Sequence, residues 1–412
     1  MRKGTSMEER EPIRILHVFG KLDMGGAESR IMELYRCIDT SLIQFDFLVH
    51  LDDFCDEAIM DDSPGAYAEE VRKRGGKIYS LPRFRVYNTA DYKKAAHRFF
   101  ADHTEFSVIQ GHMTSTASMY LPIAKQEYKK IGSDVVTIAH SRNAGVSRGV
   151  KGIATKMIRR GLGEKADYAF ACSREAADAV FGKEFVRRGE VRFIPNAIDS
   201  ERFRYNSEVR KQVRVELGIP QDAPVIGHVG RFFFMKNHEY IVRIFAEIYK
   251  KKKDAYLLLV GGGDLMGHIC ELVGKIDASM FKGQGEFKRH VIFAGKHYDV
   301  ERYYQAFDVF VFPSLFEGLP GVVVEAQDAG LPCLISRNVT REVGITELAE
   351  FRDIGENPSA WAERILEILD QKRERRDRRK EICEAGFDVH VQAERMTDFY
   401  LGRHDLKDSC YK

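Results

Sequence analysis

At 412 residues, 44 % apolar and 31 % charged, the chain exceeds what one hydrophobic core ordinarily serves and reads as a soluble protein of two domains. Its 64 basic and 62 acidic residues leave a net charge of +2, so no global field recruits nucleic acid and partners must be recognised at local sites. Seven scattered cysteines without a Cys-x-x-Cys pair argue against a disulfide framework or a zinc site and fit a reducing cytoplasm. The charged start "MRKGTSMEEREP" and the lack of eighteen consecutive apolar residues argue against an export signal or a membrane span.

The first strand is expected in "IRILHVFG". It runs into "KLDMGGAESRIMELYRCI", where Gly25-Gly26 opens a helix with Ile31, Leu34, Tyr35 and Ile38 at helical spacing. The pattern recurs: "FDFLVHL" reads as strand, "PGAYAEEVRKRGG" as helix, "KIYSLP" as strand and "ADYKKAAHRFFADH" as helix. "FSVIQGH", "DVVTIAHSR" and "YAFACS" are further strands. Such alternation implies a parallel sheet covered on both faces. Two of these strands end in histidine, His112 and His140, and Arg142-Asn143 follow the second. Histidines there can shuttle protons or bind sugar hydroxyls, although a lone histidine is more often structural.

Residues 148–165 carry Arg148, Lys151, Lys156, Arg159, Arg160 and Lys165 against Glu164 alone, with Ile153, Met157, Ile158 and Leu162 interleaved. This suits a basic amphipathic helix on anionic lipid, and equally a solvated helix. The chain turns polar near residue 200, with Pro195, Pro220 and Pro224 as punctuation, which places a domain boundary there. The alternation then restarts with "PVIGHVGR" as strand, "NHEYIVRIFAEIYKKK" as helix, "AYLLLVGGG" as strand, "HVIFAG" as strand, "DVERYYQAF" as helix, "DVFVFPS" as strand and "GVVVEAQDAG" as helix. Residues 359–382 are predicted as one charged helix packed by Trp361, Ile365 and Leu369. The fold class expected is α/β, two doubly wound halves.

In open parallel sheets ligands bind beyond the carboxyl ends of strands, so the loops that follow strands hold the candidates. Arg231 and Lys236 lie five residues apart in one such loop, where a guanidinium and an ammonium can meet a diphosphate or simply flank an aromatic triplet at the surface. The run Gly261–Gly263 closes another strand, but neither it nor Gly25-Gly26 has dinucleotide or P-loop spacing, which disfavours hydride transfer and NTP hydrolysis. "FEGLPGVVVEAQDAG" is more specific. Glu317 precedes Gly318, Leu319, Pro320 and Gly321; the amides of Gly318, Leu319 and Gly321 at a helix start can face a phosphate, while Glu325 can accept from ligand hydroxyls. Alternatively Glu317 caps the helix and Glu325 points to water. No Asp-x-Asp or His-x-x-x-His pair offers a divalent site, so no metal or other cofactor is expected.

Together "GRFFFMKNH", "LLLVGGGD" and "VIFAGKHYDVERYYQAFDVFVFPSLFEGLPGVVVEAQDAGLP" resemble the retaining glycosyltransferases of family 4. The likeness spans nearly the whole chain, and the N-terminal half is similar to the bacterial exopolysaccharide and capsule-assembly branch. The resemblance implies a GT-B fold, two Rossmann-like domains with parallel sheets facing a central cleft. Residues 12–200 would form the acceptor-side domain and 201–385 the nucleotide-sugar domain, with 386–412 a helix returning to the first.

By the same resemblance, Arg231 and Lys236 would neutralise the donor diphosphate and Glu325 would bind the ribose. Glu317 with Gly318, Leu319 and Pro320 would hold the transferred sugar and phosphate. Gly262 would back the donor, Gly295-Lys296 would meet the base, and Gly25-Gly26 would approach the diphosphate from the other domain. His140, with His112, Arg142 and Asn143, would line the acceptor side, with His140, Glu317, Lys236 and Arg231 as the catalytic set. Relatives often carry His-Ser-His-Asn where this chain has His140-Ser141-Arg142-Asn143, and Arg142 would there meet an anionic acceptor such as a lipid diphosphate. The implied activity is metal-independent transfer from a nucleotide-sugar, with UDP the expected nucleotide, to a glycan or lipid-linked acceptor, in the cytoplasm or peripherally on the inner membrane face. A nucleotide-sugar 2-epimerase and a non-catalytic binding module remain as alternatives.

Overall fold

Seven strands form the first sheet in the protein's structure, a computed structural model that describes residues 11–23, 25–52, 65–142, 155, 157–371 and 373–406. They are β1 (Ile13–Val18), β2 (Ile43–Leu51), β3 (Ile78–Pro82), β4 (Phe106–Gly111), β5 (Val136–Ser141), β6 (Tyr168–Ala171) and β7 (Val191–Phe193), in the order β3-β2-β1-β4-β5-β6-β7. All pair in parallel. Parallel strands are covered on both faces, which is why β2 is buried over almost its whole length. Helices Thr89–Asp102 and Thr114–Lys130 cover one face, over Leu16, Val18, Leu48, Tyr79 and Ile109. On the other face helix Gly26–Cys37 packs against helix Val389–Tyr400, with Tyr35 stacked on Phe45 and Phe399 against Phe170. That second helix comes from the end of the chain: one compact unit is residues 1–195 with 389–412, and the other is 196–388.

The second unit's sheet has six parallel strands: β8 (Val225–Val229), β9 (Tyr256–Val260), β10 (Val291–Gly295), β11 (Val309–Phe312), β12 (Cys333–Ser336) and β13 (Ala349–Arg352). Their order is β10-β9-β8-β11-β12-β13. The core is built on helices His238–Lys251 and Pro358–Asp370, with Trp361 fully buried and its Nε1 donating to the Asp353 carbonyl at 2.9 Å. In both sheets the strand order reverses beside the first strand, between β1 and β4 and between β8 and β11. A crevice opens at the carboxyl ends at such a switch point.

The charged helix predicted through residue 382 is two helices, Pro358–Asp370 and Arg379–Glu384, and residues 373–378 are not helical. Arg375 leaves the helical path to donate to the carbonyls of Tyr304 (3.1 Å), Gln305 (3.4 Å) and Phe307, which the short helix Glu301–Ala306 leaves open at its C-terminus. Tertiary demand for a donor overrides local helix propensity there. Among the described residues no helix is long and apolar enough to cross a membrane.

Candidate functional site

The loops after β8 and β11 are stitched together at the second unit's switch point. Phe234–Lys236 form a 3-10 turn ending at Asn237, whose φ of 57° is left-handed, a conformation that asparagine tolerates better than most residues. Asn237 donates from Nδ2 to the Pro313 carbonyl at 3.2 Å, and the Leu315 amide donates to the Met235 carbonyl at 2.8 Å. These bonds bring Lys236 and Glu317 together. Lys236 Nζ is 2.7 Å from Glu317 Oε1, with the two side chains 17 % and 14 % exposed, and it stands 4.7 Å above the Phe312 ring.

Glu317 does not cap the following helix. Gly321–Asp328 starts after Pro320, so Pro320 lies just before the first turn, and the N-cap position makes no side-chain capping hydrogen bond. The turn is pinned by Asn196, whose Nδ2 donates to the Leu319 carbonyl at 2.8 Å, and Gly318, Leu319 and Pro320 are all buried. Glu325 does not point to water either. It is 2 % exposed, and its Oε2 accepts from the Tyr304 hydroxyl at 2.7 Å.

The three glycines after β9 divide by role. A Cβ on Gly261 would lie 2.1 Å from the Gly230 carbonyl oxygen and one on Gly263 2.6 Å from that of Phe232, so both are there for close backbone packing. A Cβ on Gly262 would meet only the Lys296 Cβ, at an ordinary 3.6 Å. Gly262 and Lys296 are therefore neighbours, and Gly295, the last residue of β10, turns the chain into Lys296 at φ 84°. Arg231 stands apart from Lys236: its guanidinium is 68 % exposed, 3.8 Å from Asp264 and over the Phe233 ring.

Sequence reasoning passed over His228, on β8. Its Nδ1 contacts the Val311 carbonyl at 2.8 Å and so carries the proton, and burial pushes its pKa down to about 3. Its Nε2 is buried without a hydrogen-bond partner among the described residues, as is Ser314 Oγ just after β11. A Cβ on Gly230 would lie 2.9 Å from that Nε2 and 3.5 Å from Lys236 Cδ, which places the imidazole beneath the lysine stem. The one available signal was the position of His228 late in a strand at the switch point.

In the first unit two hydrogen-bond relays share one face of the sheet. Arg142 Nε donates to His112 Nδ1 at 3.1 Å, so the His112 proton sits on Nε2, which donates to His17 Nδ1 at 3.1 Å. Tyr400 donates its hydroxyl to Gln110 Oε1 at 2.6 Å, and Gln110 Nε2 donates to His140 Nδ1 at 2.8 Å. Both relays end on a buried Nε2 without a partner among the described residues, one on His17 and one on His140. Burial, with the Arg142 charge, holds all three histidines neutral: His17 is pushed down to about 3, and His112 and His140 well below the usual range. Burial also lowers the Arg142 pKa, to about 10.

Gly25 precedes helix Gly26–Cys37, and a Cβ there would lie 2.2 Å from Glu28 Oε2, so this carboxylate folds back over Gly25, while a Cβ on Gly26 would meet nothing within 4 Å. Burial raises the Glu28 pKa. Asn143 lies outside the described residues, as does most of 148–156. Of the expected amphipathic face, Leu162 is buried in the first unit's core, the Ile158 carbonyl accepts from Ser118 Oγ, and Met157 is 73 % exposed. Among the described residues no group of three His, Cys, Asp or Glu side chains is placed to hold a metal.

A family model described as "Glycosyltransferase Family 4" matches residues 24–202, and one described as "Glycosyl transferases group 1" matches 223–371. The chain is 31 % identical over 392 residues, 94 % of its own length and 96 % of the relative's, to EpsF of Bacillus subtilis (strain 168), a protein named as a glycosyltransferase. It is 26 % identical, over 52 % of its length and 54 % of the relative's, to the UDP-Gal:alpha-D-GlcNAc-diphosphoundecaprenol alpha-1,3-galactosyltransferase of Escherichia coli. The structure of Anabaena HepE in complex with UDP and glucose superposes with a TM-score of 0.64 at 14 % identity, covering 96 % of both chains, a likeness of fold.

Proposed function

We infer that this chain, which belongs to the family 4 glycosyltransferases and has their GT-B fold of two Rossmann-like units, transfers a sugar from a UDP-sugar to a hydroxyl of a lipid-linked glycan intermediate, with retention of anomeric configuration and without a metal. The observation that carries this is the Lys236–Glu317 pair beside an uncapped helix start. An incoming diphosphate competes for the Lys236 ammonium and for the first amides of helix Gly321–Asp328, and its sugar hydroxyls take the released Glu317 carboxylate. Glu325 takes the ribose, Gly262 and Gly295-Lys296 support the rest of the donor, and Arg231 swings from Asp264 to the phosphates.

In this reading the bond between the anomeric carbon and the phosphate oxygen breaks while the acceptor oxygen bonds to the same face. The acceptor proton passes to the departing phosphate oxygen, so no protein base is required. The catalytic contribution is preorganised charge: Lys236, Arg231 and helix amides stabilise the negative charge that grows on the diphosphate. His140, His112 and Arg142 take the acceptor side, Arg142 supplying a cation for a lipid diphosphate. That Escherichia coli and Anabaena relatives are named or solved with UDP-linked donors, UDP or a diphosphoundecaprenol acceptor supports this choice of substrates, as the sequence likeness supports a place in exopolysaccharide or capsule assembly. The exposed Met157, with Arg160 and Lys165 exposed nearby, supports peripheral contact with anionic lipid.

The test is incubation of the purified protein with a panel of UDP-sugars and a polyprenyl-diphosphate-linked acceptor, with and without EDTA. The reading expects UDP release, a glycosylated lipid with retained configuration by NMR, and no loss with EDTA. Epimerised nucleotide-sugar without a glycosylated acceptor, or abolition by EDTA, would overturn it.

A further inference from the structure

His140 ends the Tyr400–Gln110 relay on a buried nitrogen with no partner among the described residues, and the residue that starts the relay comes from the chain's far end, on helix Val389–Tyr400. A glutamine amide can present either its oxygen or its nitrogen to a neighbouring ring, and the two choices place the imidazole proton on opposite nitrogens. Here Tyr400 settles the choice. A phenol donating to Gln110 Oε1 leaves only Gln110 Nε2 to face His140, so His140 Nδ1 accepts and Nε2 carries the proton. Burial raises the Tyr400 pKa, so the phenol stays protonated and remains a donor across the working pH range. Tyr400 is also clamped sterically, edge-on to Phe45 at 5.9 Å and against Phe399. A buried N–H left unpaired is costly, and such an atom at a strand's carboxyl end is available to an incoming acceptor atom.

We propose that Tyr400 is a positioning residue for transfer: through Gln110 it fixes His140 as the Nε2–H tautomer, a neutral donor presented to a substrate oxygen. The proposal deepens the glycosyltransferase reading and rests on its placing of His140 at the acceptor side.

The experiment compares wild type, Tyr400→Phe, Gln110→Met and the double variant by imidazole 15N NMR without substrate and by UDP release with donor and acceptor. Wild-type His140 should show a protonated Nε2 and a bare Nδ1. Tyr400→Phe, which keeps the ring, should mix the tautomers and lower kcat by about tenfold, the loss of one hydrogen bond's worth of free energy, leaving the donor KM unchanged. Gln110→Met should do at least as much, and adding Tyr400→Phe to it should cost nothing further, because the relay is already cut. Additive losses, or an unchanged tautomer in Tyr400→Phe, would overturn the proposal, as would a mixed tautomer with full kcat. If one variant folds poorly by circular dichroism the other carries the same comparison. If no donor turns over, the proposal falls with the transferase reading, and the substrate-free spectra still show whether Tyr400 governs the ring.

Discussion

Lys236 and Glu317 sit on loops after different strands, β8 and β11, and their charged ends meet at 2.7 Å with little solvent around them. Removing one partner leaves the other charge partly buried and unpaired. Lys236→Ala is expected to lower kcat/KM by about 10²- to 10³-fold, the range for losing one stabiliser of developing charge. Each single alanine variant should also destabilise the fold by about 1–3 kcal/mol. The double variant should be less destabilised than the sum, because neither charge is stranded. Urea denaturation gives the cycle, and strict additivity would mean that the pair does not interact in solution.

The glycines after β9 offer a sharper separation of fold from function. Gly261→Ala and Gly263→Ala force a Cβ into backbone atoms at 2.1 and 2.6 Å, and their φ values of 141° and 153° are unsuited to alanine, so both should lose at least ~2 kcal/mol of stability. Gly262→Ala meets nothing closer than 3.6 Å and should melt with wild type. If Gly262 backs the donor, that same variant should bind UDP more weakly by calorimetry; unchanged affinity would remove Gly262 from the donor site.

Acid should destabilise the protein through its buried histidines. His17 and His228 are pushed down to about 3 and His50 to about 4, with His112 and His140 also depressed, all chiefly by burial. Between those values and about 6.5 the unfolded chain binds protons that the folded one refuses, so stability is full above about 6.5 and falls as pH drops. Each such group contributes up to ~1.4 kcal/mol per pH unit in that window. Urea midpoints at pH 7.5, 6 and 5 should decline progressively, and His228→Gln should flatten the slope. A midpoint constant from pH 7.5 to 5 would contradict this.

Asp328 works in the opposite direction. Both of its carboxylate oxygens are buried without partners among the described residues, and burial, helped by Asp377, pushes its pKa up to about 8. The folded state therefore holds a proton that the unfolded state has released above about 4, and the cost of this group grows as pH rises toward 8. Asp328→Asn should raise the melting temperature more at pH 8 than at pH 5. An equal shift at both would mean that the carboxyl does not titrate there.

The repeated strand-helix alternation was legible because hydrophobic periodicity is local: "IRILHV" and "YLLLV" announce buried parallel strands without reference to what covers them. The same locality singled out candidates at or beyond the strand ends, Lys236 and Glu317 in loops, Glu325 in the following helix and His140 late in β5, because ligands of open parallel sheets bind there. Local reading misjudged residues 373–378, where Arg375 serves carbonyls of a distant helix. It also passed over His17 and His228, which hide inside apolar runs.

The sequence by itself determined two parallel α/β halves and the loops that leave the carboxyl edges of their sheets, because strand period and loop chemistry are written in adjacent residues. Only the tertiary structure decided that Lys236 closes on Glu317 while Arg231 stands aside, that Gly262 alone of its three glycines is unobstructed, and that Tyr400 reaches back to Gln110 and His140. Each of these depends on hydrogen bonds and packing between segments remote in the chain. Their geometry exists only once the sheet order and the covering helices are in place.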